Sequence, residues 1–317
     1  MDPTKIVDKD ASFFGQPGGL QTLFFTEMWE RMSYYGMRAL LVLFMTASLQ
    51  EGGIAFTVAS ATAIYGLYTG AVYFMGLPGG WIADRLLGGQ RATWYGGIII
   101  MLGHIVLAIP SKAGFFIGMI LVVLGTGLLK PNITAMVGQL YSSDDDRRDG
   151  GYTLYYMGIN IGSIIGYIVT GYLMENAGYH WGFGAAAVGM AFGLIQYRLT
   201  LPKLKGVGEK PPKPLGPKAA KRSWGIIWLL LASLAVYTFL ALNGDVSINP
   251  VAAAESVSII FTVIFFLFYL SVFLFGKLTR DEMKRLGALF LVCIASTMFW
   301  AGFEQAGSSF HLFVRDL

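Results

Sequence analysis

At 317 residues the chain could form one or two ordinary soluble domains, but 55% of it is hydrophobic and only 13% charged, with mean hydropathy +0.59. That composition excludes a water-soluble globular chain and points to a polytopic membrane protein, all-α in class. The net charge of +4 is modest, so the placement of the basic residues carries more information than their number.

Nine apolar runs have membrane-spanning length. They fall at about 20–49, 55–82, 93–110, 115–141, 152–173 and 181–201, then, after a polar linker, at about 224–242, 257–275 and 286–314. The chain therefore divides into segments 1–19, 20–201 (six spans), 202–222 (a basic linker), 223–276 (two spans) and 277–317 (a loop and one span). Segment 1–19 is polar and lacks the short apolar core of a signal peptide. The linker holds seven basic residues against Glu209 alone, together with five prolines, and reads as an extended tether. Seventeen Lys and Arg, among them Lys5, Lys9, Arg85 and Arg91, fall on the linker side, and Lys112 alone on the other. The positive-inside rule then places the amino terminus in the cytoplasm, in a multi-pass cytoplasmic (inner) membrane protein.

Span one carries E-M-W-E-R-M-S-Y-Y-G-M-R, Glu27 to Arg38. At 3.6 residues per turn Glu27, Glu30, Arg31, Tyr34 and Arg38 share one face, with Tyr35 at its edge. Phe24, Phe25, Met28, Met32 and Leu43 lie opposite. Each ionised side chain turned to lipid would cost about 2.5–3.5 kcal/mol, so the charged stripe must face protein or water. Glu27 stands four residues before Arg31, the favoured order for a helical ion pair.

Farther along, Gly79 to Arg91 reads G-G-W-I-A-D-R-L-L-G-G-Q-R, a loop with Asp84, Arg85 and Arg91 near helix ends. Small-residue ladders at Gly66/Gly70, Gly76/Gly80 and Gly158/Gly162/Gly166 suit close helix packing. His104 reads as a structural histidine, and with Cys293 alone and His180 and His311 isolated, no metal site is expected. Span four contains G-T-G-L-L-K-P-N, which buries Lys130 before a proline that should kink the helix. Span five opens Y-T-L-Y-Y-M-G-I-N-I-G-S with Asn160 inside, after an acidic loop at Asp144 to Asp149 that reads as a solvated turn. The last run contains F-W-A-G-F-E-Q-A-G-S, with Glu304.

E-x-x-E-R-x-x-Y-Y in a first span resembles the signature of the proton-dependent oligopeptide transporters, a branch of the major facilitator superfamily, with Met32 where the family carries an aromatic. The Gly79–Arg91 loop resembles the superfamily's cytoplasmic loop signature. The Lys130, Asn160 and Glu304 stretches resemble the family's motifs in spans four, five and seven. The resemblance implies a six-helix bundle, two extra helices of the bacterial type, and the first helix of a second bundle, so the chain is expected to be the amino-terminal part of a longer transporter. It also implies that Lys130, Tyr73 and Asn160 face a central cavity, and that Glu304 is a protonation site that pairs with an arginine as a gate.

The function so implied is proton-coupled symport of di- and tripeptides by alternating access. Arginines keep their charge, so the proton must ride on Glu27, Glu30 or Glu304. Arg31, Arg38 and Lys130 would hold the peptide carboxylate, with Arg31 and Lys130 expected to lack enough anions between them. Tyr34, Tyr35, Tyr73 and Asn160 would read the peptide backbone, and Arg38, Glu304, Asp84 and Arg85 would gate. Glu304 and Arg38 each lie eighteen residues into their spans from Leu286 and Leu20, about 27 Å, and so at matching depth. No enzymatic activity, cofactor or nucleic-acid partner is expected; the partners are peptide, protons and lipid, with oligomeric state open. The alternatives are a proton-linked symporter of another small anion such as nitrate, and a membrane receptor that binds peptide without moving it.

Overall fold

The computed structural model describes residues 11–315, so Lys5 and Lys9 lie outside the described residues. The helices are α1 (Gly18–Thr46), α2 (Val58–Phe74), α3 (Gly76–Ile82), α4 (Gly89–Leu107), α5 (Lys112–Gln139), α6 (Arg147–Ala177), α7 (Tyr179–Thr200), α8 (Pro217–Asn243), α9 (Pro250–Phe275), α10 (Arg280–Phe303) and α11 (Ser309–Arg315). A π-helical turn at Ala83–Leu87 extends α2 and α3 into one span, and 3-10 turns follow α7 and α10. Among the described residues no strand forms beyond an isolated bridge between Phe13 and Gln16. Helix starts are set locally. Thr57, Ser111 and Asn249 accept hydrogen bonds from the first free amides of α2, α5 and α9, and Thr279 with Glu282 forms a capping box on α10.

Six helical spans are long and apolar enough to cross a membrane by length and composition. Of the nine expected spans, α1, α4 and α7 fall short of that measure. They are long enough, but polar residues interrupt them: the charged stripe in α1, Gln90, Arg91 and His104 in α4, and His180, Gln196 and Arg198 in α7. A helix shielded from lipid need not be apolar all round. In α1, 23 of 29 residues are buried, so its apolar face packs on protein and does not meet lipid as a two-faced helix would. It packs chiefly against α6 and α7. By contrast, α8, α9 and α10 bury no residue among those described.

The expected glycine ladder on α6 holds. Gly162 and Gly166 lie on the backbone of α1 at Met28 and Met32, and a Cβ at Gly158 would come within 3.1 Å of Phe24. The ladders expected in span two do not. Gly66, Gly70 and Gly76 have open space around them, and only Gly79 makes a close approach, onto the Gly127 carbonyl of α5. That carbonyl is the one Pro131 leaves without its helical donor. Pro131 does not break α5, which runs on to Gln139, and Asn132 Nδ2 donates to Leu128 O (2.6 Å) and to Gly79 O (3.3 Å), fixing the α3–α5 contact.

Two connections depart from expectation. The linker is not a free tether. Leu204 and Val207 are buried, and Gln90 N and Nε2 donate to Gly208 O and Val207 O, both at 2.8 Å. Lys213 N and Leu215 N donate to Asp84 O and Arg85 O, both at 3.1 Å. The amides that the prolines leave in this segment thus pair with carbonyls exposed at the π-helical turn. The segment's last residues already belong to α8, which begins at Pro217. The last span is broken as well: α10 ends at Phe303, and Glu304–Gly307 forms a 3-10 turn before α11.

The α1–α6 seam makes a stability prediction. A methyl at Gly162 would overlap the Met28 carbonyl, whereas one at Gly66 meets nothing. Gly162→Ala should lower thermal stability in detergent by the ~1–3 kcal/mol of overpacking. Gly66→Ala should be neutral or better, and equal melting shifts would show that the seam is not tight.

Candidate functional site

The charged stripe of α1 forms two clusters at different depths. In the first, Arg31 Nη2 donates to Glu30 Oε1 at 2.6 Å and Nε donates to the other oxygen, a bidentate pair between adjacent residues. Glu27 Oε1 lies 3.2 Å from Arg31 Nε as an ion pair, but neither of its carboxylate oxygens accepts an aligned hydrogen bond among the described residues. The expected i, i+4 pairing is thus secondary to Glu30, because the long guanidinium folds back and offers its fork to the nearer carboxylate. All three side chains are no more than 1% exposed. Arg31 also lies 4.7 Å from the centre of the Tyr34 ring, which stacks on Tyr68.

Lys130 reaches into this cluster from α5. Its ammonium stands 5.8 Å over the Tyr73 ring, within electrostatic range of Arg31, Glu27 and Glu30. Unlike Arg31 it is only partly buried. The expectation that Arg31 and Lys130 would lack anions is corrected here. Glu30 fills the guanidinium fork, and Glu27 and Glu30 together balance Arg31 and Lys130 in charge.

In the second cluster, nearer the far end of α1, Arg38 Nη2 pairs with Glu304 of the 3-10 turn, and Arg38 Nε donates to Tyr65 Oη at 2.5 Å. Tyr35 and Tyr65 flank the guanidinium at 5.8 and 5.4 Å. The expected Arg38–Glu304 pair is therefore formed, although Glu304 sits in a break where a continuous helix was expected. Gly307 makes room for the cluster, since a Cβ there would overlap the Tyr65 hydroxyl and crowd Arg38 Nε at 3.2 Å. Farther on, His311 Nδ1 lies 3.1 Å from Ala39 O, and Arg315 Nη1 donates to Thr46 Oγ1 at 2.8 Å. The segment around Glu304 is thus docked along the distal half of α1.

The remaining expected residues separate by exposure. Tyr73 and Asn160 are exposed and Tyr35 partly so, whereas Tyr34 is 3% exposed and packs inside against Tyr68. Asn160 Nδ2 donates to Tyr156 O of its own helix (3.0 Å). It shares a face of α6 with Tyr167, whose ring meets Tyr35 at 6.2 Å. Asp84 and Arg85 lie at the far, basic end, where their carbonyls hold the linker, and no described salt bridge joins them. The acidic loop is more ordered than a solvated turn. Arg147 grips Asp145 through Nε (2.9 Å) and Nη2 (2.7 Å), and those hydrogen bonds hold the Asp145 carboxyl below its ordinary value.

Sequence reading missed Tyr65, Tyr68 and Tyr155. Tyr65 stands eight residues, about two turns, before Tyr73 on α2, and Tyr68 three residues after Tyr65; the helical spacing signalled Tyr65 but not Tyr68 as a neighbour of Tyr73. Tyr155 lies beside Glu27 with its hydroxyl 3.2 Å from Thr134 Oγ1, and shares the buried face of α6 with Gly151, Gly158 and Gly162. No group of metal-ligating residues occurs among the described residues.

A bundle of six helices around a charged central helix, open to one polar wall and continued by two extra helices and a seventh, is the amino-terminal architecture of a major facilitator superfamily membrane protein. The match to known proteins is narrower: residues 90–317 match the POT family, to which the chain belongs. It is 41% identical over 315 residues to a peptide transporter of Yersinia enterocolitica, covering 96% of this chain and 61% of that one. It is 40% identical over 304 residues to a di-/tripeptide transporter of Lactococcus lactis subsp. lactis, covering 94% and 61%. Among solved structures, a peptide transporter POT in complex with sulfate superposes with TM-score 0.86 at 41% identity, covering 97% of this chain and 63% of that one. A POT family transporter in complex with 5-aminolevulinic acid gives TM-score 0.86 at 35% identity, covering 96% and 63%. The chain spans about three fifths of the length of these relatives.

The first cluster predicts a charge-dependent stability. Arg31→Ala strands two buried carboxylates and should cost about 3–5 kcal/mol, read as a fall in melting temperature. Adding Glu30→Gln to Arg31→Ala should recover part of that loss. If the double variant melts no higher than the single one, Arg31 acts through packing and not charge.

Proposed function

We propose that the chain is the amino-terminal part of the machinery of a proton-coupled symporter of di- and tripeptides in the cytoplasmic membrane, with its amino terminus and linker in the cytoplasm. The observation that carries this reading is the charge balance of the first cluster. Glu27 and Glu30 offset Arg31 and Lys130, so a peptide carboxylate arriving at Lys130 adds one uncompensated negative charge in a poorly hydrated space. The cheapest remedy is a proton on Glu27 or Glu30, so peptide and proton bind together. Glu27 can take that proton without releasing the Arg31 fork, which Glu30 holds. A proton on Glu30 would loosen its grip on the Arg31 fork and free that guanidinium for the same carboxylate.

Lys130, Tyr35, Tyr73 and Asn160 supply the accessible wall, and Glu304 and Arg38 the gate. Protonation of Glu304 removes the charge that holds Arg38 and, with it, the clasp between the distal end of α1 and the α10–α11 segment. Alternating access needs a second bundle facing this one, and about two fifths of the length of each relative lies outside the matched region. The names of those relatives support peptide over nitrate as the cargo.

Three outcomes test the proposal. Protein reconstituted in liposomes should concentrate a dipeptide when the outside is acidified, and a protonophore should abolish the accumulation. Uptake of nitrate but not dipeptide, or dipeptide uptake indifferent to the gradient, would reject it. Lys130→Ala should weaken a dipeptide with a free carboxylate by about tenfold or more, the ~1.5–3 kcal/mol of a charged hydrogen bond, while a carboxy-amidated analogue loses little. Glu304→Gln should keep peptide exchange but lose proton-driven accumulation; if it still accumulates peptide, the coupling proton rides elsewhere.

A further inference from the structure

Between α4 and α7 lies a groove none of whose lining residues belongs to the charged clusters. Its apolar part, about 490 Å³, is lined by Trp94, Ile98 and Met101 of α4 and by Leu194, Ile195 and Leu199 of α7, among others. Beside it, toward the linker, a polar recess of about 440 Å³ is lined by Gln90, Arg198, Lys205 and Glu209 with adjacent linker residues. Arg198 lines both. Gln90, Trp94, Ile98 and Met101 follow one another at single-turn spacing, so recess and groove form one channel about 16 Å long down the face of α4.

The recess is built. Trp94 stacks on buried Tyr197 at 6.2 Å, Tyr197 Oη donates to Gln90 O at 3.1 Å, and Gln90 Nε2 donates to Val207 O at 2.8 Å. These contacts fix the floor of the groove to the wall of the recess. Arg198 itself is exposed and forms no described ion pair, and among the described lining residues Glu209 is the one acid beside Arg198 and Lys205. The channel lies at the basic end of the bundle, beside the linker's lysines.

We propose that this channel holds one anionic phospholipid from the leaflet on the linker side, its phosphate at Arg198 and an acyl chain along Trp94 to Met101. The groove opens to the outer surface of the bundle, where Ile195 and Leu199 are exposed, and an apolar surface groove in a bilayer is filled by hydrocarbon. Arg198 can snorkel from the groove's edge with its guanidinium at headgroup level, where its positive charge meets the negative charge of a phosphate diester. A free phosphate would use the recess and leave the groove empty, whereas an apolar guest would leave the cation unmatched. A phospholipid uses both.

The test is native mass spectrometry of delipidated protein offered dioleoyl phosphatidylglycerol or dioleoyl phosphatidylcholine. One phosphatidylglycerol should be retained in preference to phosphatidylcholine. Arg198→Gln should lower its retention about fivefold, the effect of one cation near an anionic surface, and leave phosphatidylcholine unchanged. Arg198→Lys should keep the preference, and Ile98→Trp, which fills the groove, should weaken both lipids. Equal retention of the two lipids by the native protein, phosphatidylglycerol retention unaltered by Arg198→Gln, or loss in Arg198→Lys as deep as in Arg198→Gln would overturn it. So would displacement of phosphatidylglycerol by equimolar inorganic phosphate, which would make the recess a plain anion site.

Discussion

Everything in this fold answers to four ionised side chains on a single membrane helix. Left facing lipid, Glu27, Glu30, Arg31 and Arg38 would cost about 10 kcal/mol or more together. The structure meets that cost by wrapping α1 on all sides, so that its charges meet other charges and its apolar face meets α6 and α7. Wrapping so closely needs helices without side chains at the seam, which is why Gly158, Gly162 and Gly166 lie along α1.

Burial also sets the chemistry. A bidentate Arg31–Glu30 pair beside a looser Glu27 is a neutralised but asymmetric cluster: one carboxylate fills the guanidinium fork and the other stands 3.2 Å from Arg31 Nε beside Tyr155. In the proposed cycle that asymmetry separates holding a charge from carrying a proton. Lys130, the only partly buried cation of the cluster, connects it to the accessible wall at Tyr73.

The second cluster works on a different link of the chain. Arg38, Tyr65 and Glu304 join a bundle helix to a segment that otherwise buries no residue until Gly307 and Leu312. That ion pair, with buried Leu312 and the His311 and Arg315 contacts, joins the segment to α1. In the proposed cycle a proton on Glu304 loosens the first of these contacts. At the opposite end the linker is fastened differently, by backbone hydrogen bonds to Asp84 and Arg85 and by the buried Leu204 and Val207. Those contacts carry no titratable link.

The sequence by itself determined the class of the fold, the approximate positions of the spans, and which residues of α1 share a face, because hydrophobic length and helical period are local properties. Motif resemblance carried the same reading to Lys130, Asn160, Tyr73 and Glu304. Only the tertiary structure decided who pairs with whom. Periodicity favoured Glu27 for Arg31, but the flexible guanidinium turned to Glu30, since partner choice depends on side-chain path and on which carboxylate the packing leaves nearest. Tyr34 shares the stripe, yet α2 covers it with Tyr68, so sharing a face did not make it accessible. Composition made the linker a tether, but its unpaired amides found carbonyls at the π-helical turn, a contact between segments more than a hundred residues apart. The ladders of span two matched the same small-residue spacing as the ladder of α6. Whether such a spacing becomes a seam depends on a partner backbone lying opposite it, and no single helix encodes that.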